Sequence, residues 1–179
     1  MHRSIRSIVT APILLFTASL LSMPARASDA CQPVFDALNK LAVTPSRIYS
    51  TETAAYRAFG KPTDSETIYA GGAIYVKLHS KWIRSRMTPK GMLQQEQENR
   101  KSGSATCLRL PDELVGGSPA SVFRTHEKSP DSNVDTKTWI SKSTGLLLRQ
   151  DVDIDVGGSL GKSHRSSRYE YGNVQPPQM

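Results

Sequence analysis

The C-terminal segment from Thr136 to Pro177 constrains the fold of this chain more than any other part of the sequence. Polar and apolar side chains alternate along most of this segment, which is the pattern of half-buried strands. The alternation is interrupted at Ser143–Gly145 and Gly157–Gly161, whose residue types are typical of turns. The segment therefore predicts three antiparallel strands joined by two turns, with one apolar face that needs a cover.

A short amphipathic helix is predicted from Pro33 to Val43. Val34, Leu38 and Leu41 follow the spacing of one helix face. Asp29 is a suitable N-cap, and Pro33 fits the first turn. We expect this helix to pack its apolar stripe on the sheet.

The middle of the chain reads as strands interrupted by one polar helix. A first strand is predicted at Ser46–Ala54, and a longer β-like block at Ser65–Arg86 contains Gly71-Gly72, which indicates a turn or a bulge. Thr88 and Pro89 provide the N-cap and first position of a polar helix that ends near Ser102. This helix has few apolar residues, so it should lie on the surface or cover an opening.

Further strands follow the polar helix. Cys107–Leu110 begins a strand, a turn region is predicted at Pro111–Pro119, and Ala120–Lys128 forms the next strand. This gives seven or eight strands and two helices without β-α-β alternation. The fold class predicted is therefore α+β with an antiparallel sheet.

The first 27 residues have the three parts of a secretory signal peptide. Arg3 and Arg6 precede an apolar run from residue 8 to 21, and Ala25-Arg26-Ala27 forms an Ala-x-Ala cleavage site. A run of fourteen residues is shorter than the about 20 needed to span a bilayer. We therefore expect residues 1–27 to be removed, residues 28–179 to form one domain, and the protein to reside in the periplasm without a permanent membrane anchor.

Charge changes with this cleavage. The whole chain has a formal net charge of +7, and loss of three arginines and no acid leaves 20 Lys and Arg against 16 Asp and Glu, a net charge of +4. So modest a charge does not indicate nucleic-acid binding.

Two cysteines, Cys31 and Cys107, remain in a chain addressed to an oxidising compartment. A disulfide between them is the natural interpretation. It would contribute about 4 kcal/mol by restricting the unfolded chain. The alternative is a lipidated Cys31, but Ser28-Asp29-Ala30 lack the aliphatic residue three positions before the cysteine.

Two motifs suggest chemistry, but their surroundings do not support it. The aspartates of Asp151–Asp155 resemble the start of a calcium loop, yet Val156 and Lys162 occupy the positions of the required glycine and glutamate. Gly157–Gly161 matches the Gly-x-Ser-x-Gly pattern around Ser159, but a strand rather than a helix should follow it. We interpret the aspartates as the solvated face of a strand and expect neither an enzyme nor a cofactor.

Metal ligation is not indicated by the remaining side chains. His79, His126 and His164 do not have metal-ligand spacing, and we expect them on strand surfaces. A basic run from Lys77 to Lys90 could meet anionic lipid headgroups, although a solvated sheet face is the simpler interpretation.

The segment Lys137–Arg149 with its Trp139 and Gly145, followed by Tyr169–Pro177, resembles the periplasmic lipoprotein-localisation-factor (LolA/LolB-like) superfamily. The resemblance implies a strongly curved, unclosed β-barrel whose concave side is covered by short helices and accepts acyl chains. The candidate cavity wall consists of Ile74, Val76, Leu78, Leu108, Leu110, Val122, Ile140, Leu148, Val152 and Ile154.

These observations favour a periplasmic binding or carrier protein for a lipid, an acyl chain or a lipoprotein-like ligand. The partner would be a hydrophobic small molecule or a lipidated protein. An envelope sensor or adaptor that binds another protein through the same sheet is the alternative. An esterase that uses Ser159 is a third hypothesis.

Overall fold

The strands and helices are defined by a computed structural model that describes residues 30–54, 61–102, 104–158 and 161–179. Asp29, Ser159 and the predicted cleavage site after Ala27 lie outside these ranges, so the roles of Ser159 and of the cleavage site stay predictions. The helices are α1, Gln32–Val43, and α2, Pro89–Ser102. The strands are β1 Ser46–Ala54, β2 Thr63–Ala70, β3 Ala73–Leu78, β4 Lys81–Arg84, β5 Ser104–Val115, β6 Ser118–Lys128, β7 Asn133–Ser141, β8 Leu147–Asp155 and β9 Lys162–Tyr171.

All nine strands belong to one antiparallel sheet in the order β4-β3-β2-β1-β9-β8-β7-β6-β5. The sheet consists of two meanders, β1–β4 and β5–β9, which meet where Ile48 of β1 lies opposite Tyr169 of β9. The order is not closed, because β4 and β5 form the two edges. Helix α2 connects these edges along the chain. The predicted α+β class and the unclosed antiparallel half-barrel are thus confirmed.

Helix α1 covers part of one face of the sheet. Its buried residues Val34, Ala37 and Leu41 pack in one cluster with Phe123, Ile140 and Leu147 of β6, β7 and β8. Burial of a side chain of leucine size stabilises the fold by about 1.5–3 kcal/mol. Pro33 lies in the first turn as predicted, but the N-cap position is Cys31, so the expectation of an N-cap at Asp29 is wrong.

The register of the strands defines two faces. Thr138 lies opposite Phe123 on β6 and opposite Gln150 on β8, and Gln150 lies opposite Ser167 on β9. Because directly opposed residues point to the same side, these side chains share the face that α1 covers, which we call the helix-side face. Alternate residues such as Val122 and Trp139 point to the outer face.

The outer face has its own core around Trp139. Ala120 and Val122 are buried with the indole, and Leu110, Val115 and Leu148 pack against them. The indole Nε1 donates a hydrogen bond of 2.7 Å to Glu113, and the Lys137 Nζ lies 4.5 Å from the ring centre. A bulge between Leu110 and Glu113 brings that carboxylate to the indole.

The predicted turn region at Pro111–Pro119 is wrong in extent. Strand β5 continues through the bulge to Val115, and the turn consists only of Gly116-Gly117. Proline at residue 111 is accommodated because β5 is an edge strand with a bulge at that point.

Three other predictions from the sequence are confirmed. Gly71-Gly72 forms a turn between β2 and β3, with φ values of 60° and 70°. Thr88 caps α2, since its Oγ1 accepts the Gly91 N–H at 3.1 Å. The Cys31–Cys107 disulfide is present and joins the start of α1 to β5.

Candidate functional site

The helix-side face is covered unevenly. Val76 of β3 lies opposite Ile83 of β4, so both point to this face, and Leu78 follows on the same side of β3. Four large apolar side chains at this end remain exposed, and we call them the apolar edge patch: Leu78 (52% exposed), Ile83 (49%), Met87 (42%) and Met92 (41%).

Helix α2 borders the apolar edge patch. The Tyr69 hydroxyl of β2 donates a hydrogen bond of 3.3 Å to the Met92 Sδ, which places the start of α2 above the helix-side face. The helix also packs against α1. Its sequence is strongly polar, with Met92 and Leu93 as its large apolar residues. Helix α2 is therefore a cover that contributes little to the core.

A row of polar side chains crosses the middle of the helix-side face. Ser50 and Ser167 are joined by a hydroxyl hydrogen bond of 2.8 Å. The Gln150 amide donates to Thr138 Oγ1 at 3.5 Å, and its carbonyl accepts the Tyr169 hydroxyl at 3.2 Å. We call Ser50, Ser167, Gln150 and Thr138 the polar row. Since these groups satisfy one another, they offer a polar strip between apolar regions.

Two tyrosines and one arginine stand beside the polar row. Burial raises the pKa of Tyr169 far above its usual range and also raises the pKa of Tyr69. The positive charge of Arg165 opposes both pKa shifts in part. Arg165 is exposed, and it lies opposite Val152 on the helix-side face. The phenols are therefore neutral hydrogen-bond donors rather than bases.

Six of the ten predicted wall residues lie on the helix-side face, where the register places them. Ile74, Ile140 and Val152 are buried, Val76 and Ile154 are half-buried, and Leu78 is exposed. The buried three belong to the floor of the face, which leaves the other three accessible from it.

The other four predicted wall residues lie on the outer face, so the ten residues do not share one face of the sheet. Leu110 lies opposite Val122, and both pack around Trp139. Leu108 alternates with Cys107, whose side chain reaches α1, so it points outward and is 59% exposed. Leu148 follows the phase of Val152 in sequence, but a bulge in the β7–β8 pairing turns it toward Trp139.

The sequence interpretation overlooked Ile83, Met87 and Met92. Ile83 interrupts the alternation of the Ser65–Arg86 block because the chain reverses at His79-Ser80, where His79 has a φ of 58°. Recognition of that two-residue hairpin would have aligned Ile83 with Val76. No sequence pattern identifies Met87 and Met92, because their exposure depends on the position of α2 relative to the sheet.

Asp151, Asp153 and Asp155 lie on the solvated face of a strand, as predicted. Asp151 accepts hydrogen bonds from Arg149 and Ser166. Asp153 pairs with His164 at 2.8 Å, and Asp155 faces Lys162 at 3.5 Å. No group of three or more metal-ligating side chains occurs within the described ranges. A strand, β9, follows Gly161 where a nucleophile elbow would need a helix.

The outer face carries a polar depression of about 360 Å³ between β2, β1 and β9. The Thr51 hydroxyl donates to Asp64 there, and the Arg168 guanidinium lies 4.8 Å from the Tyr49 ring. Its lining is formed by Tyr49, Ser50, Thr51, Asp64, Ser65, Ser166 and Arg168. The outer-face side chains of this lining are Tyr49, Thr51, Asp64, Ser166 and Arg168, and the depression is separate from the apolar edge patch.

Comparison with known proteins gives similarity at the level of structure. No protein-family model matches the chain, and no curated protein matches its sequence significantly. In the described part of the chain no helix has the length and hydropathy to cross a bilayer.

Several solved structures resemble the fold. LprF from Mycobacterium bovis is 10% identical over 85% of this chain and 95% of its own, with a TM-score of 0.44. A DUF1329 family protein from Desulfovibrio piger is 10% identical over 84% and 95%, with a TM-score of 0.35. A LolA superfamily protein from Nitrosomonas europaea is 8% identical over 82% and 92%, with a TM-score of 0.28. The likeness concerns the fold alone and identifies neither a ligand nor an activity.

Proposed function

We propose that this chain is a periplasmic binding or carrier protein for a lipid, an acyl chain or a lipoprotein-like hydrophobic ligand, which it holds on the helix-side face. The apolar edge patch is the observation that carries this proposal. Leu78 and Ile83 stand exposed on two neighbouring strands, and Met87 and Met92 are exposed next to them along the chain, just before and within a helix that is itself polar. Grouped apolar exposure of this kind marks a binding surface in soluble proteins.

The ligand's apolar chain would lie along β3 and β4 beneath α2. Val76, Leu78 and Ile83 form the wall on the sheet, and Met92 closes the other side from α2. Methionine suits this position because its flexible thioether adapts to ligands of different shape. Displacement of α2 admits the ligand, since the helix has few apolar contacts to lose.

A ligand with a polar part would find partners farther along the same face. Arg165 is exposed there, and the half-buried Ser50, Gln150 and Tyr69 supply hydrogen-bonding groups. Thr138 and Ser167 of the polar row are buried. Ile154 continues the accessible apolar surface beyond them. The face therefore suits an amphipathic molecule better than a purely apolar one.

The proposed compartment rests on the sequence and on the disulfide. Residues 1–27 have the pattern of a secretory signal peptide, and a structural disulfide such as Cys31–Cys107 persists in oxidising compartments. A periplasmic protein with an apolar binding face could move a lipid between surfaces through water.

The test is binding of a fluorescent fatty acid by the purified protein and by two single variants. Ile83→Lys places a charge in the apolar edge patch and should weaken binding at least about tenfold, since contact of one isoleucine with ligand contributes about 1.5–3 kcal/mol. Leu108→Lys makes the same kind of change at a position of the outer face that is 59% exposed, against 49% for Ile83. It should bind like the wild type.

Mass spectrometry of the denatured wild-type protein should also find a co-purified lipid. Equal binding by both variants, or no binding and no lipid in the wild type, would refute the proposal. Crosslinking in cells that recovers one specific envelope protein, without bound lipid, would favour the sensor or adaptor alternative instead.

A further inference from the structure

We infer that the end of the molecule formed by the β3–β4 hairpin and the start of α2 docks on an anionic lipid surface. Between Val76 and Met92 the chain contains five cations and no acid. They are Lys77, Lys81, Arg84, Arg86 and Lys90. This inference goes beyond ligand binding, because it names the surface that the molecule meets and holds whether or not a cargo is bound.

Four of the five cations are available to such a surface. Lys77 pairs with Glu66 at 2.9 Å and lies 5.5 Å from the Trp82 ring centre, so its charge is engaged within the sheet. Lys81, Arg84, Arg86 and Lys90 are exposed. Lys81 shares the helix-side face with Ile83, whereas Arg84 points to the outer face of the same edge strand. Arg86 and Lys90 flank Met87 along the chain. Positive charge and exposed apolar side chains thus occur at the same end of the sheet.

The start of α2 strengthens the positive potential at this end. Lys90 lies in the first turn, and that turn contains no acid. A cation at a helix N-terminus is unfavourable, because the N–H groups there already carry partial positive charge. The position of Lys90 is therefore destabilising within the molecule, and contact with an external anionic surface would offset this destabilisation.

Protection of an edge strand explains part of this arrangement. Charged side chains on β4, such as Lys81 and Arg84, discourage pairing with another strand. That role does not require Leu78, Ile83, Met87 and Met92 to be exposed, and it would favour their replacement by polar residues. Cations that surround exposed apolar side chains are instead typical of proteins that lie at a membrane interface.

The opposite edge of the sheet provides a contrast. Leu114 of β5 is exposed, but Asp112 and Glu113 directly precede it. Asp112 pairs with Arg109 and Lys142, and Glu113 pairs with Lys137, so the charges near that edge are held in ion pairs. At the β4 edge, by contrast, no acid occurs between Val76 and Met92, and this edge has the complement of anionic phospholipid headgroups.

The test is sedimentation of the full-length mature protein with vesicles of phosphatidylglycerol and phosphatidylcholine at 1:1, and with phosphatidylcholine alone. The wild type should bind the anionic vesicles preferentially, and added salt should weaken binding by screening. Each cation near an anionic surface strengthens binding about fivefold. The variant Arg86→Gln/Lys90→Gln should therefore bind about 25-fold more weakly.

A matched control removes two cations from elsewhere on the sheet. Lys128 and Lys162 are exposed at the ends of β6 and β9, and Lys128→Gln/Lys162→Gln should bind the vesicles like the wild type. Fatty-acid binding by Arg86→Gln/Lys90→Gln should stay unchanged, which separates docking from ligand binding.

Equal loss of vesicle binding in both double variants would mean that only the net charge of the protein matters, and it would overturn the inference. No preference of the wild type for anionic vesicles would also overturn it, and an acidic protein surface would then be the occupant to seek.

Discussion

Among single residues, Glu113 links the outer core to the edge of the sheet. Its carboxylate accepts hydrogen bonds from Lys137 at 2.8 Å and from the Trp139 indole at 2.7 Å. These two hydrogen bonds hold the pKa of Glu113 below its usual value, and the bond from Lys137 has the larger effect. The Arg149 guanidinium lies 4.9 Å from the same indole ring, so this aromatic side chain has two cations next to its ring and a carboxylate at its edge.

Substitution of Glu113 by glutamine should make stability depend less on pH. Because the pKa is lower in the folded state, the carboxylate stabilises the fold above its unfolded pKa of about 4.3. This contribution disappears as pH falls through the lower folded pKa. The melting temperature of Glu113→Gln should therefore lie below that of the wild type at pH 7, and the difference should shrink as the pH falls below about 4.3 and through the lower folded pKa.

Asp131 supplies the control for this experiment, since it is exposed in the loop between β6 and β7. Asp131→Asn should melt like the wild type across the same pH range. A gap between wild type and Glu113→Gln that persists undiminished at pH 3 would contradict the assigned role.

At the scale of elements, local signals predicted helices and strands closely. Pro33 and the Thr88-Pro89 pair marked the starts of α1 and α2, and β1 has the bounds expected from its sequence. The faces of strands were predicted less well. Leu148 and Glu113 both sit at bulges, and a bulge is set by pairing with a neighbouring strand rather than by the alternation along one strand.

The disulfide is the covalent link between the first helix and an edge strand. Loss of both cysteines in Cys31→Ser/Cys107→Ser should lower the free energy of unfolding by about 4 kcal/mol, because the closed loop no longer restricts the unfolded chain. Urea denaturation of wild type and variant measures this difference. Reductant should shift the wild-type midpoint toward that of the variant and leave the variant unchanged; a reductant-insensitive wild type would contradict this prediction.

At the scale of the whole molecule, the sequence located the apolar strand residues but did not predict which of them are accessible to solvent. Ile74 and Val152 are buried in the floor of the helix-side face, whereas Leu78 on the same face is exposed. The difference arises from where α1 and α2 lie above the sheet, and no pattern along a strand encodes that. The Ser50–Ser167 contact joins residues of two meanders and was likewise beyond prediction from local sequence.

The seam between β1 and β9 gives this sheet an order of assembly. Ser46, at the start of the first strand, is opposite Tyr171 at the end of the last one. Contacts so distant along the chain are slow to form, since a long loop must close before they contribute. Each meander can form early from neighbouring hairpins, but the two halves join only when β9 is available.

A chain that ends at Gly158 should therefore populate collapsed states with mobile side chains instead of the native fold. Near-ultraviolet circular dichroism would show this as a lost signal from Trp139, while a native spectrum would contradict it. Until β9 docks, β1 and β8 both present unpaired edges, which makes the unfinished molecule prone to aggregate. The feature that unites the two halves is thus also the one whose late formation leaves the newly made protein open to self-association.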